Sequence, residues 1–266
     1  MIRAQLGVIG GSGLYSLLTD ATPVSVSTPY GPPSEPPLVG TVAGRSVAFL
    51  PRHGADHRYP PHRIPYQANL WALRSLGVRQ VLAPCAVGGL RPDYPAGTLV
   101  VPDQLVDRTG GREQTYYHYG AVHVSVADPY CPAGRAVVLA AAEESGWPAV
   151  DGGTMVVVDG PRFSTRAESR WYAAAGASVV NMTGHPEAVL ARELALCYTA
   201  VALVTDLDAG VDAGDAVTQE EVFRVFRGNI DRLRAVLLDV LARLPDERSC
   251  PCGSALDGID TGVPLP

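Results

Sequence analysis

The chain has 266 residues, 47% of them hydrophobic and 18% charged, with a net charge of −6 and an isoelectric point near 5.5. This composition excludes a disordered chain, the acidic balance excludes a general nucleic-acid binder, and no apolar run is long enough to span a membrane. All 21 basic residues are arginine, which excludes Schiff-base lysine chemistry and a P-loop lysine and leaves any anionic ligand to Arg, His, hydroxyls and backbone N–H groups.

The N-terminus lacks a signal-peptide pattern, so a cytoplasmic location is expected. The order of predicted elements is then strand alternating with helix. Residues 5–9 form a strand ending in Gly10-Gly11-Ser12-Gly13, and 45–51 a strand ending in Arg52-His53-Gly54. Residues 65–76 are a helix stopped by Gly77. Strands follow at 80–86, running into Val87-Gly88-Gly89, and at 98–106. A helix over 133–145 closes on a glycine. The strand 154–159 leads into Gly160-Pro161-Arg162-Phe163, and a helix follows over about 166–175. A short strand at 178–180 ends in Asn181-Met182-Thr183, and Pro186 opens a helix that runs to 196. The apolar run 198–205 is a strand ending in Asp206 and Asp208. The last long helix starts at Thr218, where Thr218 and Glu221 have capping-box spacing. Its apolar stripe, Val222, Phe226, Leu233, Leu237 and Val240, is core-forming. The Pro-rich stretches 29–37 and 58–65 are irregular. No repeat or linker divides the chain, so one α/β domain is expected over 1–244, with a loose tail over 245–266.

Several strand ends carry chemistry-bearing residues. In open α/β sheets ligands bind at that rim. Asp206 and Asp208 there, partly desolvated, can have raised pKa values and hold a proton at neutral pH. Gly10–Gly13 resembles a phosphate cradle and lacks the third glycine of a dinucleotide fingerprint. Arg52 offers a fork for phosphate, and Thr183 offers a hydroxyl ahead of a helix N-terminus. Three anion-binding ends in one chain suggest inorganic phosphate or a phosphate-bearing ligand. Of the five cysteines, Cys85, Cys131 and Cys197 are dispersed and are expected to be structural thiols. Cys250-Pro251-Cys252 is half of a zinc site at best, and no second half is visible in the sequence.

These stretches, with Tyr66–Leu73, Asp103–Thr109, Ala167-Glu168-Ser169, Pro186-Glu187 and Thr205–Asp208, resemble 5′-methylthioadenosine phosphorylases of the trimeric nucleoside phosphorylase family, from about residue 5 to about 240. The resemblance implies a single-domain fold with a twisted mixed central β-sheet, or distorted barrel, flanked by helices. It implies a homotrimer with shared active sites, a nucleoside substrate with inorganic phosphate as co-substrate, no metal and no organic cofactor. Ser12, Arg52, His53 and Thr183 would hold phosphate, with Cys85 and Ala86 beside it. Asn181 and Met182 would serve the nucleoside, Met182 along the ribose, and Phe163 would pack on the base. Asp206 would protonate purine N7, and Asp208 would accept from the exocyclic amine of adenine. His123 would reach a neighbouring subunit's substrate.

The chain departs from the family pattern at several positions. Cys85 stands where threonine is usual. Gln219 lies beside Val222 where apolar residues line the 5′ pocket. His185 replaces a small apolar residue, and Ala209-Gly210 stand where an aromatic pair is common. That last departure resembles the 6-oxopurine-cleaving relatives, which carry Asn rather than Asp at the acid position. The expected activity is phosphorolysis of 5′-modified adenine nucleosides, with a 6-oxopurine nucleoside phosphorylase as the alternative.

Overall fold

The computed structural model describes residues 3–11, 13–14, 17–18, 20–211 and 217–266. The strands are β1 (Leu6–Gly10), β2 (Thr22–Pro23), β3 (Leu38–Val42), β4 (Arg45–Pro51), β5 (Gln80–Gly89), β6 (Leu99–Val101), β7 (Gln104–Arg108), β8 (Val150–Asp151), β9 (Thr154–Val158), β10 (Ala177–Asn181) and β11 (Cys197–Leu207). The helices are α1 (Tyr66–Ser75), α2 (Pro132–Glu144), α3 (Arg166–Ala174), α4 (Gly184–Glu193) and α5 (Gln219–Arg243). The described strands join in one mixed, 11-stranded sheet, an α/β fold of the class expected.

β5 organises that sheet. Along one edge it pairs in parallel with the whole of β11, from Cys197 opposite Gln80 to Leu207 opposite Gly89. Its other edge changes partner midway. Gln80–Leu82 pair with β1, and Gly88 and Gly89 pair with β10. The backbone between these two pairings is released from the ladder, and the sheet opens there. This is the place where an α/β sheet can admit a ligand.

Helices cover both faces. α1 packs against α4, and α4 also packs on β11, around a core that includes Leu70, Leu73, Ala188, Leu190 and Val204. On the other face α2 packs against α5, and both pack on β11, around Val138, Val201, Leu233, Leu237 and Val240. β11 is therefore buried on both faces, as its unbroken apolar run requires. α3 is started by a full capping box in which Thr165 and Glu168 each bond the other's backbone N–H.

Four expectations need correction. The single strand over 98–106 is two strands with different neighbours, because Pro102 lacks the N–H that a continuous ladder needs. The Thr218 box is half formed: Thr218 Oγ1 accepts from the Glu221 amide, while the Glu221 carboxylate turns to Arg224. α4 ends at Glu193 rather than running to 196; the turn at Gly184 is separated by a kink at His185 from the helix that opens at Pro186 as expected. The segment 245–266 is not loose. Gln80 Nε2 donates to the Pro245 carbonyl at 2.7 Å, Arg248 donates to the Ala195 carbonyl at 2.7 Å, and Leu256, Val263 and Leu265 pack on the core.

Candidate active site

A cavity of about 430 Å³ lies at the opening beside β5. It is walled by residues from the ends of β1, β4, β5, β10 and β11 and by the first two turns of α5. Its size suits a small organic ligand. Arg52, His53, Cys85, Ala86, Phe163, Asn181, Met182, Thr183, Asp206, Asp208, Gln219 and Val222 all line it. Ser12 lies outside the described residues, and its neighbour Gly11 lines the cavity. His123 is exposed and outside the cavity; among the departures His185, Ala209 and Gly210 also lie outside it, with His185 and Ala209 buried.

The two carboxylates are placed by register. β11 carries a bulge between Val204 and Asp206, and beyond it Asp206 faces Gly88. A bulge re-aims the side chains that follow it. Gly88 makes room for both acids: a Cβ there would stand 3.2 Å from Asp206 Oδ1 and 3.2 Å from the Asp208 Cβ. Burial raises the Asp206 carboxyl to about 6, opposed by the Thr205 hydroxyl that donates to it at 2.8 Å and assisted by the charge of Asp208. Asp208 is also raised by burial, opposed by Ser169, whose hydroxyl donates to Oδ2 at 2.6 Å. Near neutral pH Asp206 can thus exchange a proton, while Asp208 is held as an acceptor in a fixed orientation.

The polar wall on the other side is more committed to the fold than the sequence suggested. Arg52 is 2% exposed and forks onto Glu187, Nε to Oε2 and Nη2 to Oε1 at 2.8 Å each. Its guanidinium also donates to the Pro84 and Ile9 carbonyls. One of the five guanidinium N–H groups is left for a ligand. Glu187 accepts in addition from the Tyr198 hydroxyl at 2.7 Å. Arg52 is therefore first a buried strut between β1, β5 and α4.

His53 is neutral. Burial, with the nearby Arg52 charge, lowers it to about 3, although its hydrogen bond to the backbone opposes the shift. Nδ1 lies 2.9 Å from the Tyr59 carbonyl, which can only accept, so Nδ1 carries the proton and Nε2 is an acceptor. His57, with a left-handed φ of 58°, stacks on His53 at 4.2 Å. Cys85 is a neutral thiol, pushed up to about 12 by burial.

The Asn181 side chain is turned inward. Its Oδ1 accepts from the Thr183 and Gly184 amides at 2.8 and 2.7 Å and from the Thr183 hydroxyl, and Nδ2 donates to the Ala86 carbonyl. The amides of Thr183 and Gly184 are thus capped from within by Asn181, which also fastens β10 to β5 from the cavity wall. The Thr183 hydroxyl, with its long 3.3 Å bond to Asn181, can be drawn to a better acceptor.

Sequence reading missed Glu187, His57, Ser169, Phe223 and Arg112. The Arg112 side chain is buried outside the cavity and donates to the carbonyls of Asp159 at 2.8 Å, Met182 at 3.0 Å and His185 at 2.6 Å. It ties together the two loops that carry Phe163 and Met182. A buried arginine at a strand end calls for a carboxylate partner, a signal that pointed to Glu187. Nothing in the local sequence marks Arg112.

A family model described as the phosphorylase superfamily matches residues 5–242. A purine nucleoside phosphorylase of Streptomyces coelicolor is 63% identical over all of this chain and 99% of its own length. An S-methyl-5′-thioadenosine phosphorylase of Mycolicibacterium smegmatis is 57% identical over 98% of this chain and 100% of its own. The crystal structure of a methylthioadenosine phosphorylase from an antarctic soil metagenomic library superposes with a TM-score of 0.91 at 39% identity, covering 97% of this chain and 92% of that one.

Proposed function

We propose that this chain, which belongs to the phosphorylase superfamily, cleaves 5′-modified adenine nucleosides with inorganic phosphate, releasing adenine and a ribose 1-phosphate, with 5′-methylthioadenosine as the reference substrate. The carrying observation is the carboxylate pair across Gly88, which faces the same cavity as Arg52, His53 and Thr183.

In the proposed reaction a phosphate oxygen forms a bond to C1′ as the C1′–N9 bond breaks. The bonding electron pair passes to the purine, and Asp206 delivers its proton to N7. The carboxyl raised to about 6 suits that transfer. The oxocarbenium-like sugar is stabilised by the phosphate charge beside it. The remaining Arg52 N–H and the Thr183 hydroxyl donate to phosphate, while neutral His53 accepts from its O–H through Nε2. Asp208, held by Ser169, accepts from the 6-amino group. Phe163 and Met182 supply apolar contact to the base and sugar, and Val222, Phe223 and Phe226 meet the 5′ substituent, with Gln219 at the mouth.

A second reading is a purine nucleoside phosphorylase acting on 6-oxopurines, favoured by the name of the 63% identical relative. We rank it below the first because a carboxylate at 208 meets a 6-oxo group as acceptor against acceptor. The proposal extends to a homotrimer. His123 is exposed, and the apolar Val106, Tyr119 and Val126 are exposed in the same stretch of chain; a mass measurement in solution tests it.

The functional test is purine release from 5′-methylthioadenosine and from inosine, each with and without phosphate. Phosphate-dependent release that favours the adenine nucleoside is expected. Equal rates without phosphate would overturn phosphorolysis, and faster cleavage of inosine would put the second reading first.

A further inference from the structure

Four cysteines meet far from the cavity. The Sγ atoms of Cys131, Cys197, Cys250 and Cys252 all lie within 4.8 Å of one another, with Cys250 3.5 Å from Cys131 and 3.3 Å from Cys197. All are free thiols, and all but Cys250 are fully buried. Cys131 and Cys197 supply the second half that the Cys250-Pro251-Cys252 motif lacks in the sequence. We propose that these four residues form a structural zinc site, each thiol losing its proton to become a thiolate ligand.

The geometry carries the assignment. A tetrahedron with Zn–S bonds of about 2.3 Å has sulfur–sulfur edges of about 3.8 Å. A small adjustment of the observed nest reaches that shape, with four ligands and no position left for substrate, as in structural rather than catalytic sites. The ligands come from three separate parts of the chain that the backbone already fixes. Cys131 caps α2, and its amide donates to the Tyr198 carbonyl at 2.7 Å, which sets it beside Cys197 at the start of β11. Gly134 permits this approach, since a Cβ there would collide with Thr199 Oγ1 at 2.1 Å. The 3₁₀ turn over Pro251–Ser254 presents Cys250 and Cys252 together, and Arg248 pins that segment to the Ala195 carbonyl.

The surroundings suit an anionic metal centre. The Gly134 amide donates to Cys131 Sγ at 3.4 Å, an N–H to sulfur bond of the kind that orients a thiolate ligand. The buried Arg192 is near enough to act electrostatically on Cys252, and its charge offsets part of the net negative charge of a tetrathiolate zinc. The ion would fasten residues 245–266 to the start of β11. Asp206 stands at the opposite end of that strand, so the role is structural.

The test is zinc content and denatured mass of the protein purified under reducing conditions, for the wild type, Cys131→Ala and Cys252→Ala. One zinc per chain is expected in the wild type, falling by roughly tenfold or more in each variant. If a variant fails to fold, the wild type is stripped and reloaded with cobalt, and the charge-transfer and tetrahedral d–d bands of a tetrathiolate site are read directly. A zinc-free protein whose five thiols all react freely would overturn the assignment. So would a zinc-free chain lighter by four hydrogens, which would show two disulfides instead. Metal content is independent of turnover, so this result is separable from the fate of the proposed reaction.

Discussion

Replacing Asp206 with Asn should make the protein a poorer enzyme and a more stable one, and the gain should depend on pH. The Asp206 carboxyl lies at about 6 rather than the ordinary 3.8, chiefly because it is buried. The folded chain therefore binds this proton more tightly than the unfolded chain. Below the unfolded value both states are protonated and the group costs nothing. The cost grows as pH rises from about 3.8 and is complete above about 6. At 1.36 kcal/mol per pH unit the ceiling is about 3 kcal/mol, and partial exposure at the cavity wall trims it to about 1–3 kcal/mol. Asn has no charge to desolvate and can still accept from Thr205. Asp206→Asn should then raise Tm at pH 8 by roughly 2–5 °C for a chain of this size, with most of the gain gone at pH 4. Turnover should fall by about 10²-fold or more, because an amide cannot deliver the proton. The assay is thermal unfolding of both proteins at the two pH values and one ionic strength. An equal Tm difference at pH 4 and pH 8 would refute the claim that a desolvated charge is stored at this position.

Arg52→Ala should cost about 3–5 kcal/mol of stability, because it strands the buried Glu187 carboxylate; an unchanged Tm with only the phosphate KM raised would show that the strut is incidental. Gly88→Ala should lower kcat/KM by roughly tenfold or more with the circular dichroism spectrum unchanged, since the new methyl would meet Val180 Cγ1 at 2.9 Å and crowd both acids at 3.2 Å, and small misplacements of reacting groups are costly; native kinetics would mean that the gap is not needed. Asp208→Asn should narrow the preference for adenine over hypoxanthine nucleosides, which an unpaired buried carboxylate sets at about tenfold to a hundredfold; an unchanged ratio would move the selectivity elsewhere.

Apolar runs and glycine stops were enough to place most of the elements. The apolar run 200–204 before Asp206, flanked by threonines and too short for a helix, reads as a buried strand, and Gly77 ends a helix at a φ of 98°. Contacts across the chain were not legible. The bulge that aims Asp206 depends on the pairing of β11 with β5, more than a hundred residues earlier. Glu187 sits in the Pro186-Glu187 motif, yet its role appears only when α4 is laid against Arg52. Cys131 and Cys197 each look like an ordinary apolar thiol until α2, β11 and the final segment converge. The break at Pro102 is legible in the sequence, because proline cannot donate to a ladder, although the strand-forming residues on both sides of it mask the signal.

The stripe Gln219, Val222, Phe223 and Phe226 faces the cavity, while the same helix farther along is sealed into the core by Leu233, Val236, Leu237 and Val240. One element is thus anchored at its far end and free to vary at its near end. The separation of Asp206 from Arg52 and Thr183 is a dimension of the sheet, because these residues stand at or just beyond strand ends and none is on this stripe. The size and polarity of this wall of the cavity belong to four side chains on two turns. Exchanges at Gln219, Val222 and Phe223 can therefore reshape the cavity wall without touching the register of the strands, whereas Phe226 also belongs to the core and ties the stripe to the stability of the fold.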